Sequence, residues 1–420
     1  MTCKIYDVRS YGAVGDGSTP DGDKIEKAIS DLVAGGGGVL YFPPGRYLTH
    51  TKHFVRDVSL SIRGDGPSVS VIVWDAIDGG IEFNGRRSDK EVPDLIFPDH
   101  FRVEGLSLVT RRTLGGTALR MSWSGDGTGK SQFFSLKDLE IRGETQDLDP
   151  DPKRPRPPPL RQMWNIGISS QAAQGGSIQN VSVVGSRELS RSPVDFNNTT
   201  GISLHSISHS NSNGCYISHL TVYCYGTSLN LQVDTPNPGE DGGKIEGIYM
   251  SLFEFVSTRI GIRAVNGYGL HFSNGHIDYS QTGFSFYNTG DISIVGCATQ
   301  HQEGDGLPGN AIELNNTFDG SSTLAGCVSC SIMGNRFYGP GSALHSNGIA
   351  IQEHNPNQAS DSEMVIISAN RFEQFRDHAV WLRGGTRKNK VSGNIFTNIH
   401  SGSPILDQGE ENECVSNSEV

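Results

Sequence analysis

Positive charge is in short supply in this chain. Its 420 residues include 34 Lys and Arg against 46 Asp and Glu, a formal net charge of −12. Binding to nucleic acid needs a basic face to neutralise phosphates, so nucleic acid is not an expected partner. A neutral glycan tolerates this balance, and an acidic glycan requires local Arg or Lys. Long apolar runs are also missing: no stretch approaches the ~20 residues of a membrane span. Met1-Thr2-Cys3-Lys4 carries no signal-peptide apolar run, which predicts synthesis in a reducing cytosol and delivery to the outside by lysis. The seven cysteines stand at 3, 215, 224, 297, 327, 330 and 414. An odd number at irregular spacing argues against a disulfide framework. Cys327 and Cys330 form a lone CxxC with no second pair, and buried thiols are expected there rather than a redox or zinc motif.

Only 35% of the residues are hydrophobic and 8% aromatic, while glycine alone contributes 53. Abundant Gly, Asn and Ser with scattered Ile, Val and Phe predict many short strands joined by many turns. Disorder is excluded because apolar residues recur to the end and charged residues make up only 19%.

The recurrence has a period. From Lys244 onward the chain can be stacked in lines, with Gly261-Ile262 over Gly283-Phe284 after 22 residues. Ala311-Ile312, Gly348-Ile349 and Ala379-Val380 follow after 28, 37 and 31. Three lines share a tighter signature: Gly334-Asn335-Arg336-Phe337, Ala369-Asn370-Arg371-Phe372 and Gly393-Asn394-Ile395-Phe396. In a parallel solenoid equivalent residues lie about 4.8 Å apart, so the Asn side chains would hydrogen-bond along the axis and the Phe rings would fill the core. A leucine-rich repeat has a similar period, but its leucine ladder is absent. Residues 101–108, 134–141 and 176–183 each alternate apolar and polar side chains, as half-buried strands do. The segment 149–160, with six prolines, predicts an exposed loop. One helix is expected near the start, over 23–33, with Ile25, Ala28, Ile29 and Leu32 on its buried face. Asp21 or Asp23 would cap it, and Gly35 to Gly38 would end it. It would cover the open end of the solenoid. The expected organisation is a cap over 1–50 followed by a β-helix over 51–420.

The sequence over 7–17, with the helix and then Gly37 to Tyr47, resembles the N-terminal signature of pectate-lyase-like right-handed parallel β-helix proteins. Where that family often has a run of Asp before the helix, this chain has Pro20-Asp21-Gly22-Asp23. Residues 136–142, 164–168, 246–249 and 274–278 resemble bacteriophage tailspikes and capsule depolymerases. The resemblance spans about 5–410. It implies an all-β solenoid with a short capping helix, a polysaccharide substrate, a homotrimer, and a place on a virion tail or outside the cell after lysis. No cofactor is expected, since the chain shows no clear equivalent of the Asp cluster that holds calcium in classical pectate lyases.

Glycoside hydrolysis usually needs two carboxylates. Setting Gly261 over Gly283 puts Glu254 over His276 and Val256 over Asp278. Phe255 and Ile277 then point inward with Phe337, Phe372 and Phe396, while Glu254, His276 and Asp278 point outward. Strand spacing gives a diagonal of roughly 8 Å between the Glu254 and Asp278 backbones, within the roughly 6.5–9.5 Å associated with inversion. Glu303 and Asp305 would bring two more acids to the same face. The candidate catalytic residues are therefore Glu254, Asp278, Glu303 and Asp305. His276, Tyr279, Tyr249 and Arg259 are the candidate substrate-binding residues, the tyrosines by stacking on sugar rings. No metal site is expected, because His345, His354 and His378 fall at unrelated positions in the repeat. Two other readings remain open. In a uronate lyase or epimerase His276 or Tyr279 would be the base and Arg259 or Arg263 the partner of the uronate. The other is a glycan-binding spike without turnover.

Overall fold

A computed structural model describes residues 4–86, 99–124, 133–144, 162–171, 173, 175–186, 196–206, 212–233, 245–302, 308–315, 327–341, 344–351 and 364–420. The chain is a right-handed parallel β-helix: every paired strand in the described residues runs parallel to its neighbour in the next coil, and the expected all-β class holds. It forms two compact units, Met1–His205 with Ser212–Gly226, and Ser206–Asn211 with Thr227–Val420. Among the described residues no helix is long and apolar enough to cross a membrane.

In the first unit the three alternating segments of the sequence are strands Phe101–Thr110, Phe133–Gly143 and Gly175–Val184. They pair in register, Phe101 beside Phe134 and Phe134 beside Gly176. Each turns a corner at one residue with positive φ, Gly105 at 69°, Asp138 at 51° and Asn180 at 53°. Such residues favour a left-handed conformation that only Gly, Asn and Asp adopt cheaply. The expected helix is there as α1, Gly22–Ala34, burying Ile25, Ala28, Ile29 and Leu32. Asp21 occupies its N-cap position, but its side chain makes no capping bond. The buried carboxylate instead accepts the amides of Val14 at 2.6 Å and Gly15 at 3.0 Å, tying the glycine-rich entry loop to the helix.

The second unit winds three faces per coil. The first face stacks Gly267–Ser273, Gly290–Val295, Ser331–Met333, Ile366–Ser368, Lys390–Ser392 and Glu413–Val415. The second runs from residues 254–258 through 276–279 to Ala298–His301, Arg336–Tyr338, Arg371–Glu373 and Ile395–Thr397. The third joins Ile262, Phe284, Ile312, Ile349 and Val380 in one buried column, the alignment the sequence period predicts.

The corner between the first two faces explains the Gly-Asn signature. Gly334, Ala369 and Gly393 have φ of 66°, 55° and 67°, and the next residue in each case is a buried Asn. Asn335 donates its backbone N–H and its Nδ2 to Asn370 Oδ1, at 2.9 and 3.0 Å. Asn370 does the same to Asn394, and Asn394 to Asn417. Beside this ladder the Phe337, Phe372 and Phe396 rings stack with centroids 5.0 and 5.6 Å apart. Cys215, Cys224, Cys297, Cys327 and Cys330 are free and buried, whereas Cys414 is exposed. Burial pushes the Cys327 thiol up to about 12, as expected of core thiols.

Asn370→Ala would strand the amides of Asn335 and the carbonyl of Ile332, and should cost about 3 kcal/mol or more. Ala369→Gly should stabilise by about 0.5–1 kcal/mol, because its left-handed corner suits Gly. Denaturant unfolding of both variants checks the two signs.

Candidate functional site

Strand alternation puts two outward columns on the second face. One is Glu254, His276, Ala298, Arg336, Arg371 and Ile395. The other is Asp278, Gln300, Tyr338, Glu373 and Thr397. Between them the inward positions are Phe255, Ile277, Thr299, Phe337, Phe372 and Phe396, all essentially inaccessible. At the acidic end Asp278 Oδ1 lies 2.8 Å from His276 Nε2, and Gln302 Nε2 donates to Asp278 Oδ2 at 3.2 Å. The bond to Asp278 holds the His276 pKa above its ordinary 6.5; burial opposes this, and the charges of Asp278 and Glu254 add to it. With both oxygens engaged, Asp278 serves to orient the imidazole and stabilise its charged form. At the basic end Arg336 and Arg371 both reach Glu373, with Nε to Oε1 distances of 3.3 and 2.7 Å. The Arg336 guanidinium also lies 4.5 Å from the centroid of Tyr338.

The structure brings Glu254, His276 and Asp278 together on this face. Glu254 stands over His276 as expected, but the next step differs. Phe255 pairs with Ile277 and Thr258 with Tyr279, so Val256 and Ser257 together face Asp278. Ser257, at a φ of 53°, carries the extra residue of this bulge. The largest correction is Tyr279. It is fully buried, its ring 5.2 Å from the His301 ring, and burial raises its phenol pKa. It cannot stack on a ligand at the surface, because the alternation that turns Ile277 inward turns Tyr279 inward too. Tyr249 is exposed but belongs to the first face, where its ring stacks on His271 at 4.9 Å. Arg259 Nε bonds Gln281 Oε1 at 2.5 Å, beyond the second face. Glu303, Asp305 and His354 lie outside the described residues, as does the proline-rich 149–160. His345 pairs with Asp377 and His378 with the Ser403 carbonyl, so neither joins a common set. Among the described residues no group of three or more His, Cys, Asp or Glu is placed to hold a metal ion.

Sequence reasoning passed over Glu313. The signal was available, since Glu313 lies between Ile312 and Leu314 in an aligned line and must face outward. Two acids show how differently burial can resolve. At Glu144 burial raises the pKa, but Arg111 at 2.6 Å and Arg46 at 2.9 Å outweigh it and the net shift is downward. At Glu313 burial wins over Asn310, Asn315, Arg383 and Thr282, and the pKa rises.

Fold and surface together define a right-handed parallel β-helix protein with a polar track along one face. Residues 5–90 match the family described as rhamnogalacturonase A/epimerase, pectate lyase-like. The mannuronan C5-epimerase AlgE6 of Azotobacter vinelandii is 33% identical over 81 residues, 18% of this chain and 9% of the epimerase. The chain thus matches a small part of that relative's length. Among solved structures, the family 28 exopolygalacturonase of Yersinia enterocolitica superposes with a TM-score of 0.56 at 12% identity, over 100% of this chain and 79% of that one. The N-terminal fragment of bacteriophage Phi29 gene product 12 gives 0.57 at 15% identity, over 99% and 70%. Both show the same fold.

The raised His276 pKa contributes stability that is present below its unfolded value of 6.5 and fades as pH rises through the folded value. The melting temperature of the wild type should therefore fall relative to that of His276→Asn across that window. Parallel scans of the two proteins at several pH values check it.

Proposed function

We propose that this chain binds an extracellular polysaccharide along the second face and modifies it by proton transfer at His276. The observation that carries the reading is the His276–Asp278 pair, an imidazole oriented by a carboxylate that is itself held by Gln302. In a uronate sugar the hydrogen on the carbon next to the carboxylate is the acidic one. Neutral His276 takes that proton, and the electron pair left behind either expels the glycosidic oxygen, which leaves as a hydroxyl with a proton from water, or captures a proton from water on the other side. The first outcome is chain cleavage by elimination and the second is epimerisation. Arg336 and Arg371, two and three coils from His276 or roughly 10–14 Å along the face, attract acidic groups elsewhere on the polymer. The family description matched by residues 5–90 and the epimerase relative support this reading.

A second reading is hydrolysis with Glu254 and Asp278 as the paired carboxylates, favoured by their placement one coil apart. Incubation with a panel of acidic and neutral bacterial polysaccharides, read by mass spectrometry, separates the readings. Unsaturated ends or inverted uronates support proton transfer, and an added water supports hydrolysis. Binding without any product supports a glycan-binding spike. For the proton-transfer reading, His276→Ala should lower kcat/KM by about 100-fold or more. The wild-type rate should rise with pH through the elevated His276 pKa, because the neutral imidazole is the base.

Assembly as a homotrimer, on a virion tail or outside the cell, belongs to the same proposal. The exposed apolar side chains Val295, Met333 and Ile366 on neighbouring coils of the first face support self-association. Light scattering should give three times the 45.3 kDa chain mass, and Met333→Glu should lower it. A monomer mass at micromolar concentration would overturn the trimer.

A further inference from the structure

The first unit carries an open groove that the reading above does not use. On the face built by Leu60–Gly64, Phe101–Thr110, Phe133–Gly143 and Gly175–Val184, one outward column runs Ser61, Arg102, Ser135, Ser177 and Tyr216. Every member of it is at least partly exposed. The groove, of about 270 Å³, has Ser61, Arg102 and Ser135 in its floor and His100 and Phe133 at its side. The two rings come from successive coils, with centroids 6.5 Å apart. The His100 N–H donates to Ser59 Oγ at 3.1 Å, which fixes that wall, and Phe133 is 38% exposed. In the neighbouring outward column Glu104 stands between Arg63 and Lys137. The Arg63 guanidinium lies 5.1 Å from the Tyr41 ring centroid, and Lys137 Nζ lies 3.9 Å from Asp138. The Arg102 side chain, by contrast, has no ion pair and no hydrogen bond among the described residues.

We propose that this groove is a second carbohydrate site, which takes one uronate unit of an acidic polysaccharide with its carboxylate on Arg102. A guanidinium presents a planar set of donors that matches a carboxylate, and with no partner in the chain those donors stay available to a ligand. Phe133 offers an apolar platform to one face of the sugar. The serine hydroxyls both donate and accept, as sugar hydroxyls require. Ser177 Oγ donates to Ser135 Oγ at 3.3 Å, which leaves the Ser135 O–H to donate outward. The volume is close to the roughly 300 Å³ at which ligand pockets begin, room for a single sugar unit. Charge selects the acidic ligand: in a chain of net charge −12 a polyanion is held only where a cation is left uncompensated, and Arg102 is such a cation. Ser177 and Tyr216 continue the column for roughly 10 Å beyond Ser135. Tyr216 is 61% exposed, so the following units meet a polar and aromatic track. The groove uses none of the groups around His276, and either reading can fail without the other.

The test uses the full chain carrying Arg336→Ala and Arg371→Ala, so that the cations of the second face contribute nothing. Tetragalacturonate and tetramannuronate are titrated into it by calorimetry, with maltotetraose as the neutral control. The expected result is saturable heat with at least one of the uronates and none with maltotetraose, weakening as salt is added. Arg102→Ala in this background should weaken binding by about tenfold or more. Arg102→Lys should weaken it as well, because the charge stays but the planar fork is gone. Glu104→Gln should tighten it by about threefold, since it removes a carboxylate two residues along the same face. Damage to the fold cannot produce that gain, so the proposal stays testable even if an Arg102 variant fails to melt cooperatively. Phe133→Trp places a reporter in the wall of the groove, and its emission should change on binding. Absence of binding with both uronates, equal binding of maltotetraose, unchanged affinity in Arg102→Ala, or a silent Phe133→Trp reporter would overturn the proposal. Binding that persists here while no polysaccharide is modified would overturn the chemistry at His276 and leave the groove standing.

Discussion

Everything in this chain depends on coils stacking at the spacing of hydrogen-bonded parallel strands. Each residue then sits over its equivalent one coil away, and every column must satisfy itself along its own length. Apolar columns do so by contact, as Ile262, Phe284, Ile312, Ile349 and Val380 do. Runs of buried polar residues are accommodated where they too form a continuous column. The ladder Asn335, Asn370, Asn394 and Asn417 meets that condition, since each amide caps the backbone of the coil before it. The left-handed residues just ahead of the asparagines turn the chain from one face to the next, so corner and ladder form a single device.

The same constraint arranges the surface. Side chains two apart in sequence, His276 and Asp278, share a face and bond directly. Side chains on successive coils, Glu254 and His276 or Arg336 and Arg371, become neighbours although far apart in sequence. A linear polymer lying along the stack meets one such row after another, acidic at one end of the second face and basic further along. A scaffold of this kind varies its surface columns while the inward columns stay largely apolar.

Much of this was legible from residue order. The 22-residue offset placed Glu254 over His276, and the Gly-Asn and Phe signature gave the ladder and the ring stack. The capping helix and its buried face followed from the spacing of Ile25, Ala28, Ile29 and Leu32. Asp21 shows a limit: its type and position suit a helix cap, yet its carboxylate serves the Val14–Gly15 turn, a partner that a local reading cannot see. Tyr279 shows another. An aromatic beside outward acids suggested a sugar platform, although strict alternation already turned it inward. Glu313 was overlooked because a single acid in an apolar line carries no weight until its neighbours from other coils are known.

The sequence by itself determined the period, the inward columns and the corners, because these repeat, and repetition can be read without coordinates. Only the tertiary structure decided which polar side chains meet and which acid has its pKa raised rather than lowered. Those outcomes turn on single-residue slips such as the bulge at Ser257, on burial from neighbouring coils, and on contacts such as Gln302 with Asp278. None of these repeats along the chain. The charge state of a carboxyl is set by the few ångströms around it, and loops of unequal length place those neighbours differently in every coil.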